Sequence, residues 1–382
     1  IPMNQQPFIL LVDDDPSQEA FALLLSQQGV EAKHILPDEL TEHDLKRANL
    51  LLLDEFIEEW SDREEVNDSV GLYVRDGVAL AGVLRSAIDG RGPNSDTVPS
   101  PMNTAIVLRT GHLDVLAAGT PAFIQPMTIA SRHDMEWVVE KSKAKATELA
   151  SLARAAAALP THWSVPKALE MQLEWLSLKE SEWSEEAVAQ IELCRPPWSV
   201  LAATSAGRRW LSWFLQTILP FPTFLVDDVR AASYLGITSE SLDELLDCDS
   251  EFCELLADAR YTGQLSTFAG RRWWRAGIAE MKSRILEDSE GRSAEDVANV
   301  LVKTIGSNIQ PLGLRHPVFQ IDASYNLINT PLEVVDAVRI QPDEWPSYAD
   351  DPWLEVEASS SEPELAGLIV IADRADIPFG LG

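Results

Sequence analysis

Short runs in which every residue is apolar alternate with helical patterns up to about residue 150. Phe8 to Val12 is one such run and stops at Asp13-Asp14-Asp15-Pro16; Gln18 to Gln28 then sets Ala20, Phe21, Leu23, Leu24 and Leu25 at helical spacing. A strand, a turn and a helix are predicted. Val30 to Leu36 predicts a second strand, Asp44 to Ala48 part of a short helix, and Leu50 to Leu53 a third strand ending at Asp54. After an acidic stretch, Glu58 to Asp68, a helix is predicted from about Gly77 to Ile88. A Gly/Pro/Ser-rich loop follows from Asp89 to Pro101, then a fourth strand, Thr104 to Leu108, ending at Thr110-Gly111. Strands with no polar face suit a parallel sheet covered by helices on both sides. The alternation predicts a doubly wound α/β fold.

From Lys143 to Ala158 the chain is rich in alanine and other helix formers and breaks at Pro160, which predicts a helical connector. Amphipathic helices with many tryptophans continue to about Ser307. From Pro311 to Gly382 short β-like runs, Val318 to Ile321 and Leu368 to Ile371, mix with turns and an acidic, Ser-rich stretch around Glu357 to Glu364. The expected organisation is an α/β domain over 7–150, a mainly α-helical module over 151–310, and a small α+β tail over 311–382 packed on the rest. No internal repeat is visible.

Charge narrows the possible partners. The net charge is -31, with 25 acids against 12 bases up to residue 150 and 36 against 18 after it, so no basic module hides behind an acidic tail. Such a surface repels phosphate backbones and anionic membranes, and nucleic acid is a poor partner for it. Cys194, Cys248 and Cys253 show neither a disulfide framework nor zinc spacing. Ile1 to Pro7 has no signal-peptide pattern and no apolar run is long enough to cross a bilayer, so the expectation is a protein of the cytoplasm.

In an open parallel sheet, ligands bind beyond the carboxyl ends of the strands. Asp13 and Asp14 end the first predicted strand, Asp54 the third, and Thr110 the fourth. Three converging carboxylates repel one another unless a divalent cation lies between them, and an all-oxygen site suits Mg²⁺. Asp54 would be a nucleophile toward a phosphoryl donor. An Asp-Asp after a strand can also simply cap a helix, a task open to Asp15 or Ser17.

The stretches Leu11 to Pro16, Leu51 to Asp54, Ile106 to Gly111 and Asp76-Gly77-Val78 together resemble the receiver domain of two-component response regulators, over about residues 7 to 150. The resemblance implies a CheY-like, doubly wound parallel sheet of five strands. It implies that Asp13, Asp14, Asp54 and the backbone carbonyl of Phe56 hold Mg²⁺, that Asp54 is phosphorylated, and that the Thr110 hydroxyl bonds a phosphoryl oxygen. Lys141, at the end of a fifth strand in Trp137 to Lys141, would pair with the aspartyl phosphate, although Met135 onward also fits an amphipathic helix running into the Ala-rich segment. Ser142 stands where the family has proline after that lysine, and Val138 where it has an aromatic switch residue. Insertions lie between Asp54 and Asp76 and between Thr110 and Lys141.

Asp228 to Asp249 carries a helix-turn-helix pattern, but its second helix bears Glu240, Asp243, Glu244, Asp247 and Asp249 with no Lys or Arg, so a packing unit is expected. Arg271-Arg272-Trp273-Trp274-Arg275 could grip an anion, yet packing with arginine–acid pairs is the more ordinary use. Cys248 and Cys253 read as buried small residues. The six histidines, His34, His43, His112, His133, His162 and His316, have no metal-ligand spacing and read as surface or capping residues; His112 could overhang the site. No motif of a catalytic output domain is present, and the chain is not expected to be an enzyme.

The resemblance therefore implies a phosphoacceptor that takes its phosphoryl group from a histidine kinase and acts by contact with another receiver or an effector protein. In its organisation the chain also resembles the receiver components of phage-defence operons such as Detocs, where a receiver acts as a phosphate buffer. The alternatives are a degenerate receiver serving as a scaffold and a regulator with an atypical helix-turn-helix output.

Overall fold

The computed structural model describes residues 6–57, 76–89, 103–160, 163, 168–201, 206–248, 250–306 and 308–376. The acidic stretch Glu58 to Asp68, nearly all of the predicted Gly/Pro/Ser-rich loop, His162 and Asp249 lie outside them.

Five strands, β1 (Phe8–Val12), β2 (Glu31–Ile35), β3 (Leu50–Asp54), β4 (Ala105–Thr110) and β5 (Trp137–Glu140), form one parallel sheet in the order β2-β1-β3-β4-β5. This is the CheY-like, doubly wound order. Every residue of β1, β3 and β4 is buried, whereas β2, at one edge, exposes Glu31 and Lys33. Side chains alternate across the sheet and build two cores. Ile9, Leu11, Leu50, Leu52 and Val107 face one way, and Leu10, Val12, Leu51, Leu53, Ile106 and Leu108 the other.

The helices of this part are α1 (Glu19–Ser26), α2 (Glu42–Arg47), α3 (Gly77–Asp89), α4 (Leu113–Leu116), α5 (Gln125–Arg132) and α6 (Ala146–Ala157). The Ala-rich α6, expected as a connector, lies on the sheet against α1, β1 and β3. Seven of its residues, from Leu149 to Ala156, are buried on several sides at once. Alanine makes that possible, because a helix without bulk can fit between a sheet and a second layer. The second layer is the helical module, whose Trp175, Trp210, Leu211 and Phe214 belong to the same continuous core as β1, β3 and α6.

That module contains α7 (Ala168–Leu176), α8 (Ser184–Leu193), α9 (Trp198–Leu201), α10 (Ala206–Trp213), α11 (Asp228–Tyr234), α12 (Ser239–Leu246), α13 (Glu251–Ala259), α14 (Arg275–Ile285) and α15 (Ala294–Ile305). A second clamp joins it to the sheet. Glu136, fully buried just before β5, takes the Arg85 guanidinium at 2.6 Å and the Ile106 N–H at 2.5 Å, while Arg208 of α10 bonds Asp134 at 3.0 Å. Gln216 donates to the carbonyls of Met135 and Glu136 at 2.9 and 3.1 Å.

The tail contributes Ile321, Tyr325, Val338, Ile340, Leu354, Leu365 and Ile369 to a core shared with Ile124, Met127 and Phe221. Its expected strand Leu368 to Ile371 is only an isolated bridge, Ile369 to Ile340, followed by a 3-10 helix over Ile371–Asp376. The ion pair of Asp373 with Arg339, at 2.7 Å, holds that helix beside the Arg339 strand.

The helix-turn-helix pattern forms α11 and α12 around Gly236, whose φ of 69° suits glycine and whose missing Cβ lets the turn press on the Ala294 carbonyl. The buried face of α12 carries Leu242 and Leu245, and its exposed positions are the acidic Glu240, Asp243, Glu244 and Asp247. Trp273 and Trp274 are buried; Arg271 pairs with Asp228 and Asp243, and Arg275 with Asp350. This is the packing arrangement, with the arginines directed at acids of the same chain. Cys194 is buried, which pushes its thiol up to about 11, and the Cys248 and Cys253 thiols donate to the carbonyls of Leu245 and Leu246. No helix among the described residues is long and apolar enough to cross a membrane.

Candidate functional site

Strand register assembles the site. Val12 pairs with Leu53, so Asp13 stands one step beyond the pairing, level with Asp54. Asp54 pairs with Arg109, and Thr110 with Glu140, so Thr110 and Lys141 stand at the same edge. The Lys141 N–H donates to the Thr110 carbonyl at 2.7 Å, which extends the β5 ladder by one residue. Lys141 therefore follows a strand, and the helical alternative from Met135 is excluded.

One oxygen from each of Asp13, Asp14 and Asp54 lies within 4.8 Å of the others. Asp13 and Asp54 are buried, at 0% and 2% exposure, and Asp14 is half-buried. The Lys141 ammonium reaches Asp54 Oδ1 at 2.5 Å and stands 3.9 Å from Asp13 Oδ2. The capping task falls to Asp15, whose carboxylate accepts the Ser17 N–H at 2.9 Å, while its own N–H donates to Asp13 Oδ1 at 3.0 Å. Asp76, in turn, caps α3 by accepting the Ala79 N–H at 2.8 Å.

Burial governs the electrostatics. It pushes the Asp54 carboxyl up to about 6; the hydrogen bond and charge of Lys141 oppose that rise, and the neighbouring Asp13 adds to it. Asp13 is also raised by burial, against the Asp15 N–H, Lys141 and Arg109. Its Oδ2 is buried and accepts no hydrogen bond. A buried, unbonded carboxylate oxygen beside two others is a donor set suited to a hard, oxygen-seeking cation, so the residues fit Mg²⁺.

Three participants were not foreseen. Arg109, 4% exposed, lays its guanidinium 4.4 Å over the Phe21 ring, bonds Gln18 at 3.1 Å and stands 3.8 Å from Asp13 Oδ2. Burial lowers its pKa while Asp13 and Asp54 hold it up. The available signal was a charged residue inside a run that otherwise reads as a fully buried strand, which demands a counter-charge nearby. Glu55, 6% exposed, accepts the Thr110 hydroxyl hydrogen. His34, read as a surface residue, has its Nε2 2.9 Å from the Asp13 carbonyl oxygen. No sequence signal marks those two.

His112 does stand at the mouth. Its N–H donates to Thr110 Oγ1 at 2.8 Å, and its ring meets the ring of Phe56 edge-on, 5.4 Å between centroids. Phe56 itself is 52% exposed. Gly77 is pressed against the back of the site: a Cβ there would lie 1.7 Å from the Asp54 carbonyl oxygen, so only glycine lets α3 begin so close to β3.

No family model matches the chain. No curated protein matches it either. Among solved structures it is similar to a response regulator receiver domain protein from Clostridium thermocellum, at 14% identity over 39% of this chain and 92% of that one, with a TM-score of 0.25. It is also similar to NtrX from Brucella abortus: in the ADP complex at 20% identity over 50% of this chain and 35% of that one, and in the ATP complex at 16% over 70% and 58%, both with a TM-score of 0.28. The chain thus spans less than two thirds of NtrX. The CheY-like fold class rests on the strand order and register described above.

Proposed function

We propose that the chain is a phosphoacceptor of a two-component-like phosphorelay, with Asp54 as the acceptor. The observation that carries this is the convergence of Asp13, Asp14, Asp54 and Lys141 on one crevice at the carboxyl edge of a parallel sheet. An Asp54 oxygen attacks the phosphorus of a phosphohistidine; the new P–O bond forms as the P–N bond breaks, and the departing imidazole takes up a proton from solvent. Lys141 would hold the developing charge on the transferred group, and Thr110, once its hydroxyl leaves Glu55, would donate to one of its oxygens. Asp13, Asp14, Asp54 and the Phe56 carbonyl would hold Mg²⁺, which supplies neutralisation of the crowded oxygens.

Protein contact or phosphate buffering fits the rest of the chain better than DNA contact, because the outward positions of α12 are acidic. Buffering has one further support. Val138, where the resemblance expects an aromatic switch, is 1% exposed, and the neighbouring Trp137 packs edge-on against Phe268 of the helical module. A buffer needs the acceptor and its surroundings but no switch, and a role in antiphage defence would be one use of such a buffer. The histidine kinase and a second receiver or effector are the partners this reading requires.

The test is incubation of the full chain with acetyl phosphate and Mg²⁺, followed by intact-mass and peptide analysis. A single phosphoryl adduct on Asp54, lost in Asp54→Asn, is expected. No adduct, and no uptake of beryllofluoride, would establish the scaffold instead.

A further inference from the structure

Thr110 is fully buried, and its hydroxyl has two neighbours: it accepts the His112 N–H and donates its hydrogen to Glu55 Oε2. A hydroxyl has one hydrogen to give. Thr110 therefore cannot serve Glu55 and a phosphoryl oxygen at once. Resting on the phosphoacceptor reading above, we propose that Glu55 is a positioning residue of the site, whose carboxylate holds the Thr110 donor in the unphosphorylated chain and must release it when a phosphoryl group arrives.

The main chain around Glu55 is tied down. Its N–H donates to the Arg109 carbonyl at 3.0 Å, and its carbonyl accepts the Gly77 N–H at 2.8 Å. With α3 pressed against the Asp54 carbonyl at Gly77, the segment has no room to swing away as a loop. Exchange of partners at Thr110 then comes from side-chain rotation, of Glu55 or of Thr110 itself. Either rotation takes a buried carboxylate out of its hydrogen bond, and a Glu55 that stays in place faces a dianionic group; both raise the cost of holding the phosphoryl. Glu55 thus weakens retention of the phosphoryl group and shortens its lifetime, a useful property in a chain that passes phosphoryl groups on.

The experiment measures beryllofluoride affinity in the presence of Mg²⁺, by tryptophan fluorescence on the full chain, for the wild type, Glu55→Gln, Glu55→Ala, Thr110→Ala and the Glu55→Ala/Thr110→Ala pair. Glu55→Ala is expected to bind roughly tenfold more tightly than wild type, the equivalent of one released hydrogen bond to a charged group, and Glu55→Gln to fall between. In the Thr110→Ala background the gain should disappear, a coupling that a merely structural role for Glu55 would not produce. Unchanged or weaker binding by both Glu55 variants, with thermal melts that show them folded, overturns the proposal, as does an equal gain in the presence and absence of the threonine hydroxyl. A wild type that takes up no beryllofluoride overturns the phosphoacceptor reading itself, so the two failures are distinct.

Discussion

Lys141 Nζ lies 2.5 Å from Asp54 Oδ1 although a whole strand, β4, separates the two residues that carry them. The lysine reaches over Thr110 because β5 is one residue longer in its hydrogen bonding than in its regular strand. In the chain as it stands this ammonium is the strongest force keeping the buried Asp54 carboxylate charged.

Replacing it by Lys141→Met should raise the Asp54 pKa further above about 6 and slow phosphorylation by acetyl phosphate by roughly tenfold or more. Carbon-detected NMR titration of the aspartate side chains, paired with an intact-mass time course, measures both. A variant that is phosphorylated as fast as wild type would remove Lys141 from the site.

Acid and metal should act on stability in a linked way. Asp13 and Asp54 both have folded pKa values above the usual 3.8, so without metal their favourable share is present at low pH and is lost as the pH rises, for Asp54 through about 6. For Asp54 alone this amounts to ~3 kcal/mol at most. A bound divalent cation reverses the preference by favouring the charged forms. The rise in melting temperature on replacing EDTA with Mg²⁺ should therefore be larger at pH 7.5 than at pH 5. Equal rises at the two pH values would contradict the carboxylate site.

Arg109 is a fixed cation that competes with any metal for the field of Asp13, 3.8 Å away. Arg109→Met keeps the contact with Phe21 and removes the charge. By the size of a charge–charge interaction at that distance, Mg²⁺ should bind roughly tenfold more tightly to the variant, measured by isothermal titration calorimetry. Unchanged affinity in a variant that still melts cooperatively would show that the guanidinium field does not reach the metal position.

The Arg85–Glu136 pair is buried on both sides, at 6% and 0% side-chain exposure, whereas Lys46–Glu42, one helical turn apart, joins a half-buried lysine to an exposed glutamate. Glu136→Gln removes the nearer counter-charge of the Arg85 guanidinium, leaving Asp134 at 3.8 Å, and should cost ~3 kcal/mol in urea unfolding. Lys46→Ala should cost about 0.5 kcal/mol or less. Similar losses would mean that the Arg85–Glu136 pair is open to water.

Much of the α/β fold was legible because its signals are local. Wholly apolar runs such as Phe8–Val12 and Leu50–Leu53 can only be buried strands at that length, and each ends where the first polar residue stands, at Asp13 and Asp54. Asp54, the acidic pair and Thr110 could be set at the sheet edge for the same reason, since a sheet edge must follow a strand end. Glu55 was not legible, because no spacing rule marks it, and Arg109 showed only as a charge beside an apolar run; the partner of each comes from another strand. Lys141 fitted two patterns equally well, and the hydrogen bond from its N–H to Thr110 decided between them.

By itself the sequence determined the strand–helix order, the net acidic charge, and the line of polar residues at the strand ends, since periodicity acts over a few residues and charge needs only a count. Tertiary structure alone decided that the Ala-rich α6 is a layer between two parts of one core, that Arg208 and Gln216 tie the helical module to the segment Asp134 to Glu136 before β5, and that Glu55 holds the Thr110 hydroxyl. Those outcomes depend on which buried charges and donors find each other after collapse. The cost of leaving a buried polar group without a partner operates only in the folded interior.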